Sequence, residues 1–372
     1  MEIIPSLDGN YLIHGGWTIT PERGVFYRKF NGQGEPIWER ILNADIVTHK
    51  NSSYINNLSD STYIAFGINN PDIAGASRPY RPKIVKLDQD GNTIWETMLL
   101  FPGDNRSIFF NKSIPLDNGN FIFAGTMVTT SNPSVSVSII GEISGSGDFL
   151  WSNELPSSWQ IEYIKENGNV IFSHPVSFNV LLRHESDAQG NLIHTDSIPA
   201  PPSYDNYILK EEAVYLLTYL EPFNGDTNTI ILEKLDAEFN SVAKDSIFSS
   251  EEIEIQGFKL LDDKLAITGF SSFNIFDEEE FVKGYFLVAD SEDLEVNFIK
   301  SYGRYHRSHH LIDLIKSDQP RYIVAGGVHP EAVIGPSQIG FETNEMSQTY
   351  VFKTDLEGNI YNNNISGIIF QE

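Results

Sequence analysis

The residues of this chain with the most chemistry to offer are histidines, aromatics and arginines gathered between apolar segments. The run YHRSHH, Tyr305 to His310, holds three imidazoles, and His329 follows at the end of the next apolar run. Imidazoles near one another can ligate a metal or shuttle protons, because the free ring titrates close to neutral pH. The bland alternative is a set of solvated polar residues in an exposed loop. Tyr54, Phe109, Phe110, Trp159, Tyr204, Tyr207 and Tyr305 begin or precede apolar segments, where ring faces would stack on a sugar or a peptide side chain, or else fill space between strands. Arg78, Arg81, Arg106 and Arg307 stand out in an acidic chain as partners for an anionic ligand, with local carboxylates as the competing partners.

Catalytic groupings are harder to find. Glu162, Asp205, Asp313 and His310 follow no recurring pattern, no nucleophile motif is present, and nothing marks a carboxylate pair with split pKa values. Asp88, Asp90 and Asn92 resemble half of a calcium loop, but the glycine and the terminal acidic ligand of such a loop are not at the required spacing, so a hairpin turn is the expected structure. With no cysteine, disulfides, thiolate metal sites and cysteine nucleophiles are excluded. No residue is assigned a catalytic role, and no metal or cofactor is expected. The ligand-binding candidates are Tyr305, His306, Arg307, His309, His310, His329, Trp159, Tyr204 and Arg106.

Those residues must be positioned by a repeat. FNGQGEPIW (Phe30 to Trp38), LDQDGNTIW (Leu87 to Trp95) and ISGSGDFLW (Ile143 to Trp151) share an apolar start, a polar turn with glycine in fifth place and an apolar pair ending in tryptophan. The frame continues through SDAQGNLIH, LDAEFNSVA, ADSEDLEVN and TDLEGNIYN, with fifth positions Gly190, Phe239, Asp293 and Gly358. This spacing suits propeller blades of about 40 to 50 residues plus loops. A second turn-and-strand element precedes each, as in LDGNYLIHGG from Leu7 and LDNGNFIFAG from Leu116. Each repeat then reads as strands A to D, in the second copy near Tyr54 to Leu58, Tyr63 to Gly67, Ile84 to Asp88 and Thr93 to Leu99. Continuous apolar B and C strands are those of a sheet covered on both faces. No helical periodicity supports a solenoid, and a sandwich would not repeat in this way. The expected fold is all-β, a seven-bladed β-propeller of four-stranded antiparallel blades in one domain, with blades near 1–45, 46–101, 102–156, 157–200, 201–250, 251–303 and 304–367 and a tail at 368–372.

On KLDQDGNTIW of the second copy and RYIVAGG of the last, the chain resembles the secreted propeller repeats of Bacteroidota. It is also similar to the tryptophan-docking repeats of quinoprotein-like propellers, within the broad WD40-like group, where Asp, Gly and a following Trp lock one blade onto the next. The first resemblance implies export, often with a lipid anchor or sorting domain. The second implies docking by Trp38, Trp95 and Trp151, and puts it in doubt where His194, Ala243, Asn297 and Asn362 take the tryptophan's place. The absent cysteine pair disfavours a quinoprotein dehydrogenase.

A formal charge of −26, from 51 acidic and 25 basic residues, repels phosphate backbones and argues against nucleic acid as a partner. No stretch approaches the roughly 20 apolar residues of a membrane span, and the first residues show no export signal. A–B and C–D turns share one end of such a fold and are short; B–C and D–A connections share the other and are irregular, so binding is expected on the latter. The reading that follows is an extracellular or cell-surface binding or scaffold propeller, with the periplasm also open. It recognises a protein or glycan, as a monomer or within a surface assembly. A propeller hydrolase or lyase acting on a polysaccharide at the central axis is the alternative.

Overall fold

The computed structural model describes residues 2–19, 22–31, 35–44, 54–58, 61–69, 81–99, 107–128, 136–155, 160–177, 180–199, 204–220, 228–249, 253–271, 284–302, 308–316, 322–329, 348–357, 359 and 366–368. Among them the strands form four-stranded antiparallel sheets, each with its strands in chain order, A beside B beside C beside D. Sheets 1 to 4 (residues 2–44, 54–98, 107–155 and 160–199) make up one compact unit, Ile3–Pro199. Sheets 5 to 7 (204–249, 253–302 and 308–368) belong to a second, Ala200–Glu372.

Hydrophobicity falls from strand B to strand D, and burial follows it. Phe121–Val128, strand B of sheet 3, is buried or nearly so at every residue, whereas strand D of sheet 2, Thr93–Met98, is largely open. Successive side chains along a strand point to opposite faces of a sheet. The B and C strands therefore feed apolar groups into the seams on both sides. Between sheets 2 and 3 the filling is aromatic: Phe66 meets Phe110 and Phe121 edge-on, and Phe110 meets Phe123 at 4.8 Å between centroids. Burying each such side chain contributes roughly 1.5–3 kcal/mol.

The C–D turns close on their own side chains. In sheet 2 the Asp88 carboxylate accepts the backbone N–H of Asp90 at 2.9 Å and of Asn92 at 2.7 Å, and the Asn92 amide at 3.0 Å. Gly91 adopts φ 78°, the left-handed region that glycine enters without steric cost. The same carboxylate-to-Asn bonds recur from Asp187 to Asn191, Asp236 to Asn240 and Asp355 to Asn359. The carboxylate that looked like half a calcium loop thus caps its own hairpin.

Immediately after this turn, strand D carries a β-bulge. Leu87 pairs with Thr93 but Lys86 with Trp95, so Ile94 is the extra residue. One inserted residue exchanges the faces of everything beyond it and so places Trp95 on the face of Lys86. Equivalent shifts leave Ile37, Leu150, Ile193 and Val242 as the extra residues in sheets 1, 3, 4 and 5.

The bulge delivers the docking tryptophans. Trp38 donates from Nε1 to the Gln89 carbonyl at 2.8 Å, and a Cβ at Gly91 would lie 2.7 Å from its ring. Lys29 reaches the same carbonyl at 3.1 Å while ion-pairing with Asp8 at 2.6 Å, and Arg40 donates to Gly91 O. Trp95 donates to Gly145 O at 3.1 Å and lies over Gly147. At the next seam Trp151 covers Gly190 but gives its N–H to Glu142 of its own sheet at 2.7 Å, and Asn153 bonds the Gln189 carbonyl instead.

Two of the doubtful positions resolve differently from the sequence frame. The C–D turn of sheet 6 is one residue longer, with Asp290 N–H bonding Glu295 O and Leu294, not Asp293, in the left-handed conformation at φ 67°. Val288 therefore pairs with Phe298, which takes the tryptophan's rung, and Asn297 is the bulge residue. Phe298 contacts Tyr322 of sheet 7 as Trp38 contacts Tyr63 of sheet 2. Between sheets 5 and 6 the sizes are inverted: small Ala243 on strand D packs in the cluster that contains the fully buried Leu294 on the turn. His194 instead bonds Asp196 within its own sheet, and Asn362 lies outside the described residues.

Candidate functional site

Each sheet presents its A–B and C–D turns at one end and its B–C and D–A connections at the other. At the turn end the C–D turns of sheets 2, 4, 5 and 7 repeat one pattern, each Asp carboxylate occupied by its own hairpin. The connections are unequal: residues 70–80, 272–283 and 330–347 join B to C in sheets 2, 6 and 7, while Ile19 to Glu22 and Ser177 to Val180 close sheets 1 and 4 tightly. That last pair departs from the expectation of long links throughout this end.

Four of the candidate residues, His309, His310, His329 and Tyr204, are described, and their backbones lie at the connection end. Strand A of sheet 7 (Ser308–Lys316) pairs with strand B (Tyr322–His329) so that Ser308 opposes His329, His309 opposes Val328 and His310 opposes Gly327. Backbones of three candidate histidines thus meet within three rungs of one hairpin, neighbouring Cα atoms across it being about 5 Å apart. Tyr204 opens strand A of sheet 5 at the same end of its sheet, opposite Thr218. Tyr305, His306, Arg307, Trp159 and Arg106 lie outside the described residues. Of the remaining aromatics, Phe110 is a core residue of the seam between sheets 2 and 3, the space-filling alternative. Among the described residues, no three His, Asp or Glu side chains converge as metal ligands.

Sheet 4 holds a polar grouping that the sequence reading did not single out. Arg183 donates from Nε and Nη2 to one oxygen of Asp196 at 3.1 and 2.6 Å, and His194 Nε2 lies 2.6 Å from the other oxygen. Burial alone would raise the Asp196 pKa; Arg183 and His194 outweigh it and hold the carboxyl below its ordinary value. One residue along, the buried His184 ring bonds Thr195 Oγ1 through Nδ1 at 2.8 Å. Burial, reinforced by His174, pushes its pKa down to about 4, so the ring is neutral at physiological pH. Glu162 is engaged by the Ser173 hydroxyl. These residues sit across from one another on consecutive strands of one hairpin, so only the register Arg183 to Asp196 and His184 to Thr195 reveals them. What they provide is a fixed charge pair and a neutral imidazole bonded to a threonine hydroxyl.

No protein-family model matches the chain, and no curated protein matches it as a relative. Solved structures do. The polysaccharide lyase Uly1 aligns over 94% of this chain and 88% of its own with a TM-score of 0.52 at 11% identity. The β-propeller domain of the Trilobed protease from Pyrococcus furiosus aligns over 93% of both chains (TM-score 0.47, 10% identity). A protein of unknown function from Bacteroides caccae is covered completely by 84% of this chain (TM-score 0.42, 14% identity). At such identities the likeness speaks of architecture alone; the four-stranded antiparallel sheets described above, repeated in chain order, are the blades of an all-β propeller.

Proposed function

We propose that this chain is an exported, non-catalytic binding or scaffold propeller, its sheets closed into a seven-blade ring, that recognises a glycan or protein through the end carrying the B–C and D–A connections. The observation behind this is the contrast between the two ends of the sheets. Turns such as 88–92 and 187–191 spend their polar groups on themselves and repeat from sheet to sheet, whereas connections differ in length and carry Tyr305, Arg307, Arg106 and Trp159. Irregular loops on a rigid scaffold are where recognition concentrates. The resemblance to secreted repeats supports export.

The test is a polysaccharide and bacterial-surface-protein array, followed by titration of any hit with Tyr305→Ala, Arg307→Ala and Arg106→Ala. Reversible binding is expected, with each replacement weakening it by about tenfold, the usual cost of losing an aromatic or arginine anchor. Asp187→Asn at the turn end should leave affinity unchanged. Release of shortened or unsaturated sugar products would overturn the non-catalytic reading in favour of a polysaccharide-active enzyme. Absence of any hit on both arrays would overturn recognition itself.

A further inference from the structure

The A–B turns of sheets 1, 3 and 4 are built alike. In each the glycine in fourth place donates its N–H to the carbonyl of the first residue, Gly9 to Ser6 at 3.1 Å, Gly119 to Leu116 at 3.0 Å and Gly168 to Lys165 at 2.9 Å. Ahead of the glycine stands a side chain whose oxygen accepts the N–H of the residue after it: Asp8 from Asn10 at 3.3 Å, and Asn118 from Asn120 and Asn167 from Asn169, both at 3.0 Å. One turn thus carries a carboxylate where the other two carry amides.

The neighbouring strand explains the exchange. In sheet 1 the Asp8 carboxylate ion-pairs with Lys29 of strand C at 2.6 Å. Register puts Glu142 and Glu185 at the place of Lys29 in sheets 3 and 4: Lys29 pairs with Leu12, Glu142 with Ile122 and Glu185 with Ile171, each the second residue after its turn. The turns themselves bond both glutamates, through the side-chain amides of Asn120 to Glu142 at 2.7 Å and Asn169 to Glu185 at 2.5 Å. A carboxylate at position 118 or 167 would therefore meet a like charge where Asp8 meets a cation, and like charges facing each other across strands are destabilising. Asparagine closes the turn without that charge, but before glycine it is chemically labile. The glycine backbone nitrogen, on losing its proton, attacks Cγ of the asparagine; the new C–N bond closes a cyclic imide as the side-chain nitrogen leaves as ammonia. Water then opens the ring at either carbonyl, leaving aspartate or isoaspartate. Both asparagines are exposed, and a Cβ at Gly119 or Gly168 would meet nothing within 4 Å, so packing does not shield the reaction. The restraint is the turn, which commits the glycine N–H to a carbonyl and the carboxamide oxygen to the next N–H.

We infer that Asn118–Gly119 and Asn167–Gly168 are latent modification sites, silent while their turns are closed, and that deamidation at Asn118 is a charge switch that loosens the sheet 3 turn. This is independent of the recognition proposed above. The two sites differ in consequence, because Lys165 pairs with Glu185 at 2.8 Å whereas Glu142 accepts from Asn120 and Trp151, both neutral. Peptide mapping by mass spectrometry follows both sites in the full chain during incubation at mildly alkaline pH, folded and in guanidinium chloride above the unfolding transition. Conversion should be at least about tenfold slower in the folded chain, since it must await local opening. Asn118→Asp, which supplies the aspartate product directly, should lower the urea midpoint, and Asn167→Asp should lower it less. Adding Glu142→Gln should restore most of the loss in Asn118→Asp by removing the repelling charge. Equal rates in the folded and unfolded chain would overturn the silencing, a measurement that needs no variant to fold. A midpoint for Asn118→Asp that is unchanged, lowered no more than for Asn167→Asp, or not recovered by Glu142→Gln would overturn the charge switch.

Discussion

Gly91 and Gly119 share nearly the same backbone angle, φ 78° and 82°, yet a Cβ at Gly91 would strike the Trp38 ring while one at Gly119 would meet nothing within 4 Å. Replacing either by alanine imposes left-handed strain of about 1 kcal/mol. Only Gly91→Ala also displaces a docked indole, so it should cost roughly 1–2 kcal/mol more than Gly119→Ala, measured as the difference in urea unfolding free energy. His184 supplies a pH dependence. Its ring takes up a proton near pH 6.5 when the chain is unfolded but only at about 4 when folded, so between those values protons favour the unfolded state. Stability from this residue is complete above pH 6.5 and declines, by on the order of 1–3 kcal/mol, as the pH is lowered toward 4. His184→Gln should flatten that slope, checked by unfolding midpoints across the interval. Asp8 acts in a lower window: Lys29, Ser6 and Asn10 overcome burial and hold its carboxyl at about 2, so its contribution fades only as the pH falls from 3.8 toward that value.

Among the elements, strand D is the most informative. Phe298 occupies the rung of a docking tryptophan and lies against Phe286 and Tyr322, whereas Asn297 is the exposed bulge residue. Phe298→Ala should therefore destabilise by roughly 3–4 kcal/mol, as Trp38→Ala should, while Asn297→Ala should stay within about 0.5 kcal/mol; chemical denaturation distinguishes them. The repeat frame taken from the sequence pointed to Asn297 because it assumed turns of constant length. Glycine turns and apolar B and C strands were legible, since both depend on local backbone preference and two-residue periodicity. The extra residue in the sheet 6 turn was not, because Leu294 enters a left-handed conformation that its type does not announce. Nor was the exchange of Trp on Gly for Ala243 near Leu294, which is a property of a seam and not of either strand. The candidate site was legible only as a position at strand ends. His309, His310 and His329 come onto neighbouring rungs through hairpin register, while Arg183, Asp196 and His184 went unnoticed because their pairing spans strands.

For the whole molecule, charge is the dominant long-range term. A formal −26 stores self-repulsion in the compact state, and added salt screens it, the Debye length shrinking from about 30 Å at 0.01 M to about 10 Å at 0.1 M. The thermal midpoint should therefore rise between those ionic strengths, as read by scanning calorimetry at constant pH. A midpoint that fell would mean that the local pairs, such as Lys29 with Asp8 and Lys165 with Glu185, outweigh the general repulsion. The displaced residues Ile37, Ile94, Leu150, Ile193 and Val242 bear on a different collective property. Every sheet ends in an outer strand whose backbone edge has no partner within the sheet, and a flat edge of that kind recruits strands from other molecules. An irregular, over-twisted rim offers no continuous template for such recruitment. The same one-residue slip that aims an indole at its neighbour thereby protects a chain rich in strands from fibrillar assembly at high concentration.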